Sequence, residues 1–259
     1  MLMKLTILGT ATPFPRPDNA CSGYLLQQGS TSIWVDAGTG TLAELQRTIS
    51  LERVDAIWIS HGHADHCADL LAAYYALRFG EVPAVSALPL IGPPGLRDQL
   101  VGFLGHRSAA LLPDVFDITE MSQWGELTVG DIELSWSPVN HGMPAFGLRA
   151  TAKSTPDAAG TVFAYSGDTA YCDSVVELAQ GAHLLLCEVG AGGHEDSAVS
   201  QVHCSPEVAA RIATEARVKR LVLTHINSAV SRDDARSRAE AEFDGGIFVA
   251  TTGATFEIG

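Results

Sequence analysis

Ser60-His61-Gly62-His63-Ala64-Asp65-His66 places three imidazoles and a carboxylate side by side, directly after the apolar run Ala56-Ile57-Trp58-Ile59. Neutral imidazole and carboxylate are the ligand types that suit zinc and similar borderline divalent ions. A surface histidine cluster is the bland explanation, but such clusters rarely end a buried strand and lead straight into an apolar helix. A metal centre needs further ligands, expected at the ends of other strands, where ligand-bearing loops gather. Three residues have that placement: His141 after Ile132 to Val139, Asp168 after Thr161 to Tyr165, and His225 after Leu221 to Leu223. Alone, such an Asp is usually a helix cap and such a His is often structural. Their combination with the cluster points to metal chemistry.

The elements that must hold these residues follow from periodicity. Lys4 to Leu8 reads as a strand, and Tyr24 to Gln28 with Ser32 to Val35 as a hairpin around Gln28-Gly29. Leu42 to Ile49 has helical spacing, and Val54 to Ile59 is the strand that delivers the histidines. Ala68, Leu70-Leu71 and Tyr74-Tyr75 are expected on one face of a helix that ends near Gly80. Glu81 to Pro113 is irregular, with room for one buried strand, a helix from Leu96 to Leu104 and loops over a site. Short strands follow at Val115 to Ile118, Leu127 to Val129, Ile132 to Trp136, Phe146 to Ala150 and Thr161 to Tyr165, the last two joined around Pro156-Asp157. The last third alternates helix (Asp173 to Ala179), strand (Leu184 to Cys187), helix (Pro206 to Ala216, N-capped by Ser205), strand (Leu221 to Leu223) and helix (Asp233 to Phe243). Two short strands finish the chain. No repeat or linker divides it, so residues 1–259 are expected to form one α/β domain, a four-layer αβ/βα sandwich.

Composition narrows the partners. Sixteen Lys+Arg against 30 Asp+Glu give a net charge of −14. Extended nucleic acid is therefore an unfavourable partner, since binding it relies on many phosphate contacts. Bound cations would still draw one small anion to the site. Cys21, Cys67, Cys172, Cys187 and Cys204 are odd in number and widely spaced, which suits reduced thiols in a cytoplasmic protein. The N-terminal apolar run is too short for a signal peptide, and no stretch is long enough to span a membrane.

His-x-His-x-Asp-His followed by isolated His, Asp and His resembles the metallo-β-lactamase superfamily of binuclear hydrolases, from Asp36-Ala37-Gly38 to Thr224-His225. The resemblance implies an αββα fold and two divalent metal ions, zinc most often, with Mn2+ or Fe2+ served by the same ligand types. It implies that His61, His63 and His141 hold one ion, that Asp65, His66 and His225 hold the other, and that Asp168 bridges them. Two ions roughly 3.5–4 Å apart generate a bridging hydroxide nucleophile and stabilise charge on the attacked centre, and Asp65 can orient that nucleophile. Asp36 is read as holding the histidine loop in place.

The stretch from Glu188 to His225 looks like the ribonuclease Z and phosphodiesterase branch. There a His before a helix, here His203, supported by a strand-end Glu, here Glu188, helps protonate the leaving oxygen. The bland alternative makes His203 a helix flanker and Glu188 a solvated strand end. The tRNA-processing members insert a long basic arm between the isolated His and the bridging Asp. Residues 141 and 168 are too close for one. The resemblance therefore implies a compact phosphodiesterase acting on a small anionic phosphodiester, such as a cyclic nucleotide or a cyclic sugar phosphate, as a homodimer. A tRNA 3′-processing endoribonuclease, an ester, lactone, thioester or aryl-sulfate hydrolase, a redox di-iron protein and a metal-stabilised binding module are the alternatives. His106, His183 and His194 are read as structural or exposed.

Overall fold

Along the strands, buried side chains alternate between two faces, which sorts the apolar ones into layers. In Thr31–Ala37, Ile33 and Val35 point one way and Trp34 the other; in Leu184–Glu188, Leu184 and Leu186 oppose Leu185 and Cys187. This period of two means each sheet is covered on both faces. The computed structural model describes residues 2–80, 86–152, 160–192 and 198–259, and the connection at Pro156-Asp157, His194 and the His106 side chain lie outside that description.

One eight-stranded sheet runs in the order Thr255–Ile258, Met3–Ala11, Gly23–Gln28, Thr31–Ala37, Ala56–Trp58, Leu88–Gly92 and Phe116–Glu120, with Ala20–Cys21 paired beside Met3–Ala11. A seven-stranded sheet runs Gly246–Val249, Arg220–Thr224, Leu184–Glu188, Thr161–Tyr165, Phe146–Ala152, Ile132–Pro138 and Gly125–Val129. The inner faces share one core that includes Leu5, Tyr24, Trp58, Leu134, Phe163 and Tyr165. Thr41–Thr48, Asp69–Phe79 and Leu96–Ala109 cover the outer face of the first sheet, and Asp173–Ala179, Pro206–Glu215 and Arg232–Ala239 that of the second. The arrangement is the four-layer αβ/βα sandwich.

Each sheet is part antiparallel and part parallel. Thr31–Ala37, Ala56–Trp58 and Leu88–Gly92 are parallel, as are Thr161–Tyr165, Leu184–Glu188 and Arg220–Thr224. Ile132–Pro138 is antiparallel to Phe146–Ala152, which is antiparallel to Thr161–Tyr165. These strands therefore deliver their carboxyl ends to a common edge, where open α/β sheets place ligands. Residues 153–160 are all that connect Phe146–Ala152 to Thr161–Tyr165 in the interval between His141 and Asp168.

Three expected elements differ in detail. On Asp69–Phe79 the buried residues are Leu70, Ala73, Tyr74 and Leu77, while Tyr75 is exposed and stacks on Phe79. Helical spacing cannot put both Tyr74 and Tyr75 on one face. The helix from Leu96 continues to Ala109 across an interruption at Gly105, whose φ of 71° is outside the helical range. The C-terminal helix stops at Ala239. Glu242 N then donates to Ala239 O, a tightened turn that lets Phe243 fold into the core.

Candidate metal centre

His61 and His63 leave the strand Ala56–Trp58 on an extended segment, and Ala64–Cys67 forms a single helical turn that turns Asp65 and His66 inward. Gly38 permits this packing: a Cβ there would sit 2.1 Å from the Asp65 carbonyl oxygen. His141, Asp168, Glu188 and His225 come from the ends of strands in the second sheet, and His203 precedes Pro206–Glu215. His61, Asp65, His66, His141, Asp168, Glu188 and His225 are buried, whereas His63 is exposed at the mouth of the site.

The structure brings together donor atoms of His61, His63 and His141, and separately those of Asp65, His66 and His225, each set within 4.8 Å. Asp168 lies between them. Its Oδ2 is 3.1 Å from His225 Nε2, 3.3 Å from His66 Nε2 and 3.8 Å from His61 Nε2.

Hydrogen bonds fix which nitrogens present lone pairs. His141 Nδ1 is 2.9 Å from the Val202 carbonyl, an acceptor, so it carries the proton and leaves Nε2 bare. The Ser60 hydroxyl donates to Asp36 Oδ2 at 2.9 Å and so accepts from His61 Nδ1 at 3.0 Å, which bares His61 Nε2. These two bare nitrogens lie 3.2 and 3.0 Å from His63 Nδ1. One proton there satisfies only one of them. A cation satisfies all three, and donors of a tetrahedral zinc with bonds of about 2.0–2.1 Å stand about 3.3 Å apart. His66 Nδ1 likewise donates to Asp36 Oδ2 at 2.7 Å. Among the described residues, His66 Nε2 and Asp168 Oδ1 are then buried without a hydrogen-bond partner, a costly state that a divalent ion would relieve. The residues fit a pair of divalent ions.

Charge follows the same division. Burial, then the neighbouring imidazole of His66, push His61 well below the ordinary histidine range, which keeps it neutral and able to ligate. Burial also works against a charged His66, but Asp168 and Asp36 overcome it and hold His66 well above that range. A bound ion would take the place of that second proton. His203 differs. Burial opposes its charge, yet the hydrogen bond of its Nδ1 to Glu188 Oε1 at 2.9 Å raises it to about 9. Glu188 also accepts from the backbone N–H groups of Thr169 at 2.9 Å and Cys204 at 3.1 Å, so it is a fixed, buried anchor rather than a solvated strand end. The His203 ring stands 4.8 Å from that of His141 and 5.8 Å from that of His225, centroid to centroid.

Asp36 organises the first sheet's contribution. It accepts from Ser60 N at 2.7 Å, Ser60 Oγ, His66 Nδ1 and, across the sandwich, Tyr165 Oη at 2.7 Å. Its φ of 56° and the 53° of His225 are left-handed conformations, uncommon outside glycine and here imposed beside the site. Sequence reasoning missed Tyr165, Ser22, whose hydroxyl meets His225 Nδ1 at 2.9 Å, and Tyr24, whose hydroxyl meets Thr224 Oγ1 at 2.9 Å. A tyrosine inside an apolar strand reads as core, and no sequence signal marks where its hydroxyl goes. His183 stands apart, its Nδ1 accepting from Val162 N at 3.2 Å.

A family model described as a beta-lactamase superfamily domain matches residues 31–226. The uncharacterized protein Rv1339 of Mycobacterium tuberculosis is 35% identical over 260 residues, covering 99% of this chain and 92% of that protein. The probable metallo-hydrolase YhfI of Bacillus subtilis is 30% identical over 260 residues, covering 98% and 100%. The YhfI crystal structure superposes with a TM-score of 0.84 at 28% identity, covering 98% of this chain and 99% of that one. A ribonuclease Z of Mycobacterium bovis is 29% identical over 279 residues, covering 96% and 95%. Among the described residues, no helix is long and apolar enough to cross a membrane.

Proposed function

The chain belongs to the beta-lactamase superfamily of metallo-hydrolases, and from that premise we propose that it is a binuclear phosphodiesterase acting on a small phosphodiester. One observation carries the reading: the Glu188–His203 pair, 2.9 Å apart and anchored at the rim of the donor cluster. An ester or lactone hydrolase has less need of such a group. A phosphodiester with an alkoxide leaving group benefits from a proton at the departing oxygen, and an imidazolium held by a carboxylate can donate it.

In this reading His61, His63 and His141 would hold one ion and Asp65, His66 and His225 the other, with the Asp168 carboxylate, placed between the two sets, available to both. Bound there, the two ions would acidify a water and offset charge on the phosphoryl oxygens. Asp65, 3.8 Å from His66 Nε2 and 4.0 Å from His225 Nε2, orients the attacking water. Asp36 fixes the tautomers of His61 and His66 through Ser60 Oγ and Nδ1, and the Val202 carbonyl does the same for His141. Glu188 keeps His203 protonated and aimed.

The relative named ribonuclease Z favours a second reading, a tRNA 3′-processing-type endoribonuclease. The net charge of −14 and the short connection across residues 153–160 speak for the smaller substrate. Turnover of 3′,5′-cyclic AMP and bis(p-nitrophenyl) phosphate by the zinc- or manganese-loaded protein tests the proposal. A fully loaded protein that hydrolyses no phosphodiester would sink it. His203→Ala sharpens the test, with an expected loss of roughly 10²–10⁴-fold on alkoxide leaving groups and little on nitrophenolate. Equal losses on both would remove His203 from the leaving-group role.

A further inference from the structure

Beside the candidate metal centre, at His203, lies a cleft of two adjoining lobes. One lobe of about 200 Å³ is lined by His203, Gly190 and Pro13. It shares Thr12, Asn227 and Ser228 with a second lobe of about 190 Å³, which runs from Thr224 out to Arg16 and Arg232. Among the described residues no Asp or Glu lines either lobe. In a chain with 30 acidic and 16 basic residues, two arginines on one cleft with no lining carboxylate is a departure from the prevailing charge. Such a lobe focuses positive potential in an otherwise acidic protein.

The arginines are presented by built elements. Arg16 opens a tight turn in which Arg16 N donates to Asn19 O at 2.9 Å and Asn19 N returns a bond to Arg16 O at 3.1 Å. Asn19 Oδ1 is pinned by Thr10 N at 3.1 Å and Thr252 Oγ1 at 2.9 Å. The guanidinium carbon of Arg16 lies 4.0 Å from the centroid of the Phe14 ring, a cation–π contact that restrains the side chain. Arg232 begins the helix Arg232–Ala239, capped by Ser231. The loop between it and His225 is tied down by Asn227, whose Nδ2 donates to Gly190 O at 3.0 Å and whose Oδ1 accepts from Ala229 N at 2.9 Å.

From this placement we infer that Arg16 and Arg232 form an anion subsite for a second, non-reacting phosphate, so that the preferred substrate is a small phosphodiester bearing a further phosphate group. The reacting phosphate would occupy the ligand cluster, where the cations of the proposed centre balance its charge. The arginines line the far lobe, beyond Thr12 and Ser228, and so address another part of the same molecule. Guanidinium groups suit this task, because their planar donors match a phosphate dianion in two-point fashion. The inference rests on the phosphodiesterase reading for its substrate class.

The test compares thymidine 5′-(p-nitrophenyl phosphate) with its 3′-phosphorylated derivative, which have the same reacting diester and leaving group. The metal-loaded wild-type protein is expected to prefer the 3′-phosphorylated diester by roughly tenfold or more in kcat/KM, mainly through KM. In the double variant Arg16→Gln, Arg232→Gln the preference falls to near unity. Equal kcat/KM for the two diesters in the wild type, or a preference that survives the substitutions, overturns the subsite. Calorimetric binding of thymidine 3′,5′-bisphosphate separates this from the reading beneath it. If neither diester is turned over but the variant binds the bisphosphate about tenfold more weakly than the wild type, the phosphodiesterase reading fails and the subsite stands. Equal affinity overturns the subsite on its own.

Discussion

The two sheets contribute to the centre in opposite ways. The first supplies a contiguous motif, His61 to His66, braced by a single buried carboxylate, Asp36, that accepts four hydrogen bonds. The second supplies one residue per strand end, His141, Asp168, Glu188 and His225; the Val202 carbonyl holds His141, backbone N–H groups hold Glu188, and Ser22 of the facing half holds His225. A contiguous motif depends on the conformation of one loop. A distributed set depends on sheet register, because a slip in any one strand would move only its own residue. The halves are joined at this edge by polar links between otherwise apolar faces: Tyr165 Oη to Asp36, Phe146 N to Ser60 O at 3.0 Å, and Ser22 Oγ to His225 Nδ1. The site is thus where the sandwich is pinned together.

The largest effect should come from the residue both donor sets share. Asp168→Ala is expected to lower hydrolysis by about 10³-fold or more, since bridging two cations is worth several kcal/mol and each 1.36 kcal/mol is tenfold in rate. Steady-state kinetics on bis(p-nitrophenyl) phosphate reads it. Next is the brace of the first sheet. Asp36→Asn leaves the shape but removes the charge that orients His66 and Ser60, and should weaken metal binding roughly 10–100-fold, measured by competition with a chelator. The same substitution should disturb the His61 to His66 half more than the strand-end half, which chemical shifts of the separate imidazoles would report.

Tyr165→Phe tests the link between the sheets. It deletes one donor to a buried carboxylate that keeps three others, so a loss of about 1–2 kcal/mol in denaturant stability is expected. pH adds a finer probe. His203 is raised from 6.5 to about 9, so its pair with Glu188 contributes stability that is fully present below pH 6.5 and lost as pH rises through 9. Rates with alkoxide leaving groups should fall along the same limb. Its midpoint in the metal-loaded protein lies at or below about 9, because added cations favour the neutral imidazole. A flat alkaline profile would contradict the role of His203.

The smallest effect lies away from the centre, on the helix layer of the second sheet. Glu207 meets Arg238 through two bonds, Oε1 to Nε at 2.6 Å and Oε2 to Nη2 at 2.8 Å. Burial works against its charge, but Arg238 and Ser205 hold it at about 2. Its contribution is present above pH 4.5 and lost as pH falls from 4.5 to 2. Allowing for solvent screening of this partly exposed pair, Glu207→Gln should cost about 1 kcal/mol at neutral pH, with metal content unaltered. Thermal melts at pH 7 and pH 3 would show the difference shrinking.

The same contrast explains how much could be read in the sequence. His61 to His66 is dense enough to be recognised in place, and His141, Asp168 and His225 are recognisable because each follows an apolar strand. Sheet alternation fixed the layers, since Ile33, Trp34 and Val35 can divide between two faces in only one way. What stayed hidden is what crosses between distant segments. Tyr165 and Tyr24 look like core residues until their hydroxyls are placed, and the Val202 carbonyl that orients His141 has no side-chain signature. Position alone marks Arg16 and the loop after His225 as candidates for gripping a substrate; that Arg16 and Arg232, 216 positions apart in the chain, share a cleft beside Thr12 and Asn227 emerges only from the fold.

Metal counting tests most directly whether both sheets jointly hold two ions. After zinc loading and dialysis, elemental mass spectrometry of the wild-type protein should give two ions per chain. His141→Ala and His225→Ala, which remove the strand-end donor from one set each, should each retain close to one. A wild-type count of one, or a count that neither substitution changes, would contradict the account.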